Sequence, residues 1–137
     1  MLTAMEQSSA RNALVVDDGP VERLAGKAML ERMGFSVLTA ASGEEALRLL
    51  EQQTTTLVLC DISMPGMGGL MLLETVRSKP RPPLFIMSSS HSDTEHAAAS
   101  LRCGAWGYLT KPLRFDTLRD TVTKALAAHP AGTSPSQ

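Results

Sequence analysis

Three aspartates, a serine and a lysine each stand at the end of an apolar segment. Asp17 and Asp18 follow residues 13–16, Asp61 follows 57–60, Ser89 follows 84–88, and Lys111 comes just after 105–109. Three carboxylates brought together repel one another, so such a set suits a hard cation such as Mg²⁺. That ion prefers octahedral oxygen coordination, keeps several waters and bridges carboxylates to phosphate oxygens. An ammonium and a hydroxyl can hold the remaining phosphate oxygens. The chemistry that fits is phosphoryl transfer, where catalysis is chiefly positioning and charge neutralisation.

These residues meet only if the segments before them are strands of one sheet that end on the same side. The sequence alternates strand-like and helix-like stretches. Residues 13–16 form a first strand; Val21, Leu24, Ala25, Ala28, Met29 and Leu30 then recur at helical spacing, with Pro20 suited to the helix start and Gly34 to its end. Residues 35–39 read as a second strand, and Ser42 with Glu45 as a capping box opening a helix over 44–53. Residues 57–60 are apolar throughout, as befits a strand buried on both faces. A loop with Gly and Pro, 64–69, leads to a helix over 70–78, a turn at 80–83 and a fourth strand over 84–88. Ser92 or Asp93 can cap a helix to Arg102, stopped by Gly104; a fifth strand (105–109) and a last helix (115–128) follow. Five such alternations predict an α/β fold, a parallel sheet with helices on both faces. Its functional loops belong at the carboxyl ends of the strands.

Length and composition narrow the classes further. The 137 residues suit one domain: residues 11–128 between a flexible tail (1–10) and a disordered tail or linker start (129–137) rich in Pro, Ser, Gly and Thr. A net charge of −1 with no Lys/Arg run argues against direct nucleic-acid or membrane binding. No stretch approaches a membrane span, the first ten residues do not read as a signal peptide, and Cys60 and Cys103 read as buried reduced thiols. The expected location is cytoplasmic. His91, His96 and His129 read as surface or capping residues, and Met64, Met67, Met71 and Met87 as core and loop packing.

The chain resembles the receiver domain of two-component response regulators, the fold class of the bacterial chemotaxis regulator. The resemblance is carried by Val15-Val16-Asp17-Asp18, by residues 61–67 (Asp-Ile-Ser-Met-Pro-Gly-Met) and by 104–112 (Gly-Ala-Trp-Gly-Tyr-Leu-Thr-Lys-Pro). It covers about residues 11–128 and implies a doubly wound, flavodoxin-like sheet of strand order 2-1-3-4-5. It also implies a role for each matching residue. Asp61 is the nucleophile that becomes an acyl phosphate. Asp18 and Asp61 contact Mg²⁺ (for which Mn²⁺ can substitute), Asp17 acts largely through water, and the Ser63 carbonyl completes the protein ligands. Lys111 pairs with phosphoryl oxygens, and its bond to Pro112 is cis. Ser89 hydrogen-bonds the phosphate and moves with Tyr108, the aromatic switch. Spacing to the lysine selects Ser89 as that hydroxyl, whereas the distance from Pro83 favours Ser88.

The implied donor is a sensor histidine kinase or a histidine phosphotransfer protein. The implied target is a downstream protein, or an output domain of the same chain if these residues are a fragment. Such a domain is a signalling switch and not an enzyme on other substrates. Two departures bear on phosphoryl lifetime and loop stiffness: Gly19 where the family often has an acidic or bulky residue, and Gly68 where an aspartate is common. Two other readings remain. An aspartyl-phosphate phosphatase generally needs a second aspartate two positions after its nucleophile, where this chain has Ser63. A phosphorylation-independent pseudo-receiver is disfavoured by the intact Asp17, Asp18, Asp61 and Lys111.

Overall fold

In the middle strand of the sheet every side chain from Leu57 to Asp61 is buried, which requires packing on both faces. A computed structural model describes residues 11–90 and 94–128. Its elements run β1 (Asn12–Val16), α1 (Pro20–Arg32), β2 (Ser36–Ala40), α2 (Gly43–Gln52), β3 (Leu57–Asp61), α3 (Gly69–Arg77), β4 (Leu84–Ser89), α4 (Thr94–Arg102), β5 (Gly107–Thr110) and α5 (Phe115–Ala128). All strand pairs are parallel, in the order β2-β1-β3-β4-β5.

Alternation along the strands divides the core in two. Leu14, Val16, Val58, Cys60, Phe85 and Met87 pack with Leu72, Leu73 and Val76 of α3 and Ala46 of α2. Their neighbours Ala13, Val15, Leu57, Leu59 and Ile86 face the other way, onto Leu30 of α1 and Leu118 and Val122 of α5. Each fully buried side chain of this size contributes about 1.5–3 kcal/mol. The period of two thereby places helices on both faces of one sheet.

The sequence signals for the helix ends operate locally. Pro20 starts α1, and Gly34 (φ +98°) and Gly104 (φ +108°) take the left-handed conformation that ends α1 and α4. Ser42 Oγ accepts the Glu45 N–H at 3.1 Å, and Glu45 Oε1 accepts the Ala41 N–H at 2.8 Å. Some boundaries move. Phe35 belongs to the helix exit, its N–H on the Leu30 carbonyl at 3.1 Å, so β2 begins one residue later than expected. β5 begins at Gly107, not Ala105, because its ladder with β4 starts at the Ile86–Gly107 pair. β3 and β4 each gain the next residue, so Asp61 and Ser89 close their strands and do not merely follow them.

Two readings of side chains are corrected. Met71 is 56% exposed on the outer side of α3 and does not join the core, unlike Met64, Met67 and Met87. Cys60 is buried, whereas Cys103 is only half-buried; both are free thiols. The expected tails (1–10 and 129–137), His91, His129 and the candidate caps Ser92 and Asp93 lie outside the described residues. Among the described residues, no helix is long and apolar enough to cross a membrane.

Candidate functional site

The chain passes from β1 out to β2 on one side, then returns to β3 on the other, so the connections diverge at the carboxyl ends of β1 and β3. Such a divergence leaves a crevice in a doubly wound sheet. Asp17 directly follows β1, and Asp61 is the last residue of β3. Asp17, Asp18 and Asp61 each present a carboxylate oxygen within 4.8 Å of the others. Asp17 and Asp61 are buried, and Asp18 is exposed at the mouth.

Hydrogen bonds orient these carboxylates. Asp17 Oδ1 accepts the Gly19 N–H at 2.9 Å, and Asp61 Oδ1 accepts the Ser63 N–H at 3.1 Å. The second oxygen of each faces Lys111, whose Nζ donates to Asp17 Oδ2 at 2.7 Å and to Asp61 Oδ2 at 3.2 Å. Lys111 reaches across from β5, its own N–H held by the Ser89 carbonyl at 2.7 Å. The Lys111–Pro112 peptide bond is cis.

Burial and charge tune the groups. Burial raises the Asp61 pKa above 3.8, and the Ser63 N–H and Lys111 only partly oppose it. Burial alone would lower the Lys111 pKa, but its hydrogen bond to Asp17 and the charge of Asp61 outweigh that and raise it. Burial, followed by the charges of Asp61 and Asp17, pushes the Cys60 thiol far up, so it stays protonated and is no ligand. The donors that remain are hard carboxylate oxygens, a set that fits Mg²⁺ better than a soft or borderline metal. A divalent cation would offset the negative charge gathered in this cleft, and a phosphoryl group beside Lys111 would share its ammonium with the carboxylates.

The family model described as response regulator receiver domain matches residues 13–123. The chain belongs to that family. This receiver domain is 41% identical over 115 residues to the transcriptional regulatory protein ZraR of Escherichia coli (strain K12), a match covering 83% of this chain and 26% of that protein. It therefore spans about a quarter of the length of the first curated relatives it matches. A CheY-like receiver domain from Methanospirillum hungatei JF-1 superposes with TM-score 0.78 at 31% identity, covering 86% of this chain and 94% of that one. A CheX–CheY–BeF3–Mg complex from Borrelia burgdorferi superposes with TM-score 0.79 at 27% identity, covering 85% and 89%.

The remaining expected residues of the receiver lie along β4 and β5. Ser88 is the register partner of Asp61, and Ser89 that of Thr110; both are buried. Ser89 lies two residues after Met87 and shares its sheet face. Met87 pairs in register with Tyr108, which is half-buried against the same core cluster. Ser89 and Tyr108 thus occupy one face, next to Phe85 and Met87. Trp106, just before β5, is 37% exposed.

One supporting residue escaped the sequence reading. Arg23 Nη1 donates to the Asp17 carbonyl at 2.8 Å, bracing the acidic turn from α1. Its signal, an arginine in the first helical turn after an acidic pair, is legible only once the turn geometry is known. Gly19 leaves room that the Glu22 carboxylate takes, since a methyl group at 19 would collide with Glu22 Oε1.

Proposed function

We propose that this receiver domain accepts a phosphoryl group on Asp61 from the phosphohistidine of a sensor histidine kinase or a histidine phosphotransfer protein. The observation that carries the reading is the meeting of Asp17, Asp18 and Asp61 within 4.8 Å, with Lys111 bridging two of them. Asp18, Asp61 and the Ser63 carbonyl would hold Mg²⁺, with Asp17 acting through water; Mn²⁺ would substitute. When bound, the ion neutralises the crowded carboxylates and polarises the phosphoryl oxygens.

The chain's own residues do the rest. An Asp61 carboxylate oxygen forms the new O–P bond while the P–N bond to the donor imidazole breaks, its electron pair remaining on nitrogen. Lys111, already at hydrogen-bonding distance from Asp61, moves its N–H groups onto the transferred phosphoryl oxygens. The Ser63 N–H keeps the Asp61 carboxylate aimed. Ser89 then hydrogen-bonds the phosphate, and Tyr108 follows it inward, altering the surface formed by α4, β5 and α5 beside Trp106.

In this reading residues 11–128 are the switching unit, a binding module and not an enzyme on other substrates. Its target is a separate protein or, if these residues are a fragment, an output domain of the same chain. It works in the cytoplasm, in keeping with its two free thiols. The BeF3–Mg complex of the Borrelia burgdorferi relative supports beryllofluoride as the stand-in for phosphoryl. Incubation with acetyl phosphate and Mg²⁺ should give one acid-stable, base-labile acyl phosphate at Asp61. Phosphate recovered on any other residue would overturn the proposal.

A further inference from the structure

The loop 62–68 joins Asp61 to α3 and carries Ser63. Within it, the Ser63 N–H reaches Asp61 Oδ1 at 3.1 Å, and at its end the Gly69 N–H reaches the Ile62 carbonyl at 3.1 Å. Gly68, the N-cap of α3, has no side chain with which to hold the helix end. A side chain from another element hydrogen-bonds this loop. It is Glu44, in the first turn of α2, whose Oε2 accepts the Met67 N–H at 3.2 Å.

Glycines on both sides of the contact bring loop and helix together. Gly66 has φ +73°, and a Cβ there would lie 2.9 Å from Glu44 Oε2. A Cβ at Gly43 would lie 2.5 Å from the Met67 carbonyl oxygen, so only glycine lets α2 approach this closely. The adjacent glutamates divide the work: Glu45 caps its own helix, while Glu44 reaches a loop 23 residues away.

We propose that Glu44 is a positioning residue for the metal and phosphoryl site, holding Met67 and Gly66 so that the loop carrying Ser63 keeps its place beside Asp61. The inference rests on the reading of Asp61 as phosphoacceptor with Ser63 as a ligand. A loop containing Gly66 and Gly68 has wide conformational freedom, and whatever freedom it keeps must be lost when the ion binds. A carboxylate accepting an N–H makes a charge-assisted bond, stronger than a neutral one. Anchored to the capped end of α2, that bond removes part of the freedom in advance.

The test compares wild type, Glu44→Ala and Glu44→Gln by Mg²⁺ titration, hydrogen exchange at the Met67 amide and thermal melting without metal. Glu44→Ala should weaken Mg²⁺ binding roughly three- to tenfold, the value of one hydrogen bond, and speed Met67 exchange. Glu44→Gln should recover much of both, because its amide oxygen can accept the same N–H. Wild-type Mg²⁺ affinity in Glu44→Ala, or no recovery in Glu44→Gln, overturns the inference and leaves the Asp61 reading standing. A wild type that binds no Mg²⁺ overturns the site reading and this inference with it.

Discussion

Lys111 Nζ stands 2.7 Å from Asp17 Oδ2 and 3.2 Å from Asp61 Oδ2, so one ammonium from the end of β5 ties together the ends of β1 and β3. It acts as an internal counter-ion for carboxylates that are themselves buried. The same cation is positioned to meet a phosphoryl group, so its structural and chemical roles share one geometry.

Replacing Lys111 with alanine should therefore destabilise the metal-free protein by about 3 kcal/mol, because two buried carboxylates lose their partner. The raised Lys111 pKa makes this stabilisation fully present below pH 10.5 and lost only as pH rises through the higher native value. Urea denaturation at pH 7.5 would measure the loss, and added Mg²⁺ should restore stability more in Lys111→Ala than in wild type. Equal responses to Mg²⁺ would show that the lysine does not offset the carboxylates.

Asp61→Asn should abolish phosphoryl uptake, since an amide is not a carboxylate nucleophile. It should also stabilise the metal-free fold at neutral pH. Burial raises the native Asp61 pKa above its ordinary 3.8, so the native state binds this proton more tightly than the unfolded chain. Wild-type stability should accordingly fall relative to Asp61→Asn as pH rises from 3.8 through the native value. Parallel melts of the two proteins across that range, without metal, give the difference; a constant or shrinking gap contradicts it.

Asp18→Ala should separate metal binding from folding. Asp18 is exposed at the mouth of the cleft, so its loss should change stability by no more than about 0.5 kcal/mol. Mg²⁺ affinity and the rate of phosphorylation by acetyl phosphate should both fall severely. Retention of wild-type Mg²⁺ affinity would remove Asp18 from the ligand set.

Ser89→Ala should leave phosphorylation largely intact while uncoupling it from the α4–β5–α5 surface. Trp106, beside that surface, supplies the signal: its fluorescence should respond to beryllofluoride and Mg²⁺ in wild type and much less in Ser89→Ala. The same comparison with Ser88→Ala distinguishes the two hydroxyls. An unresponsive wild type, with amide shifts confined to the acidic cleft, would dismiss the switch.

Gly69→Ala tests the packing beneath the site. A Cβ at 69 would lie 2.6 Å from the Asp61 carbonyl oxygen and 3.0 Å from Ile62 Cα, both backbone atoms that cannot swing aside. The start of α3 would have to move, costing about 1–3 kcal/mol of stability by chemical denaturation. Wild-type stability would mean that the helix start yields freely.

The sequence by itself determined the alternation of elements, the two-faced core and the acidic residues that end β1 and β3. Those features are local. Period-two and period-3.6 patterns decide which side of an element is buried, and Pro20, Ser42 and Gly34 mark where elements start and stop. Lys111 was legible too, because a lysine directly after an apolar strand stands out along the chain. Only the tertiary structure decided how these ends meet: that Lys111 reaches both Asp17 and Asp61 from a strand that pairs with neither β1 nor β3. It alone decided that Met71 faces outward while Met67 turns in, that Arg23 braces Asp17, and that Glu44 holds a loop 23 residues further along. No pattern along the chain encodes those contacts, because each depends on the distance between elements that are brought together only when the sheet closes its order.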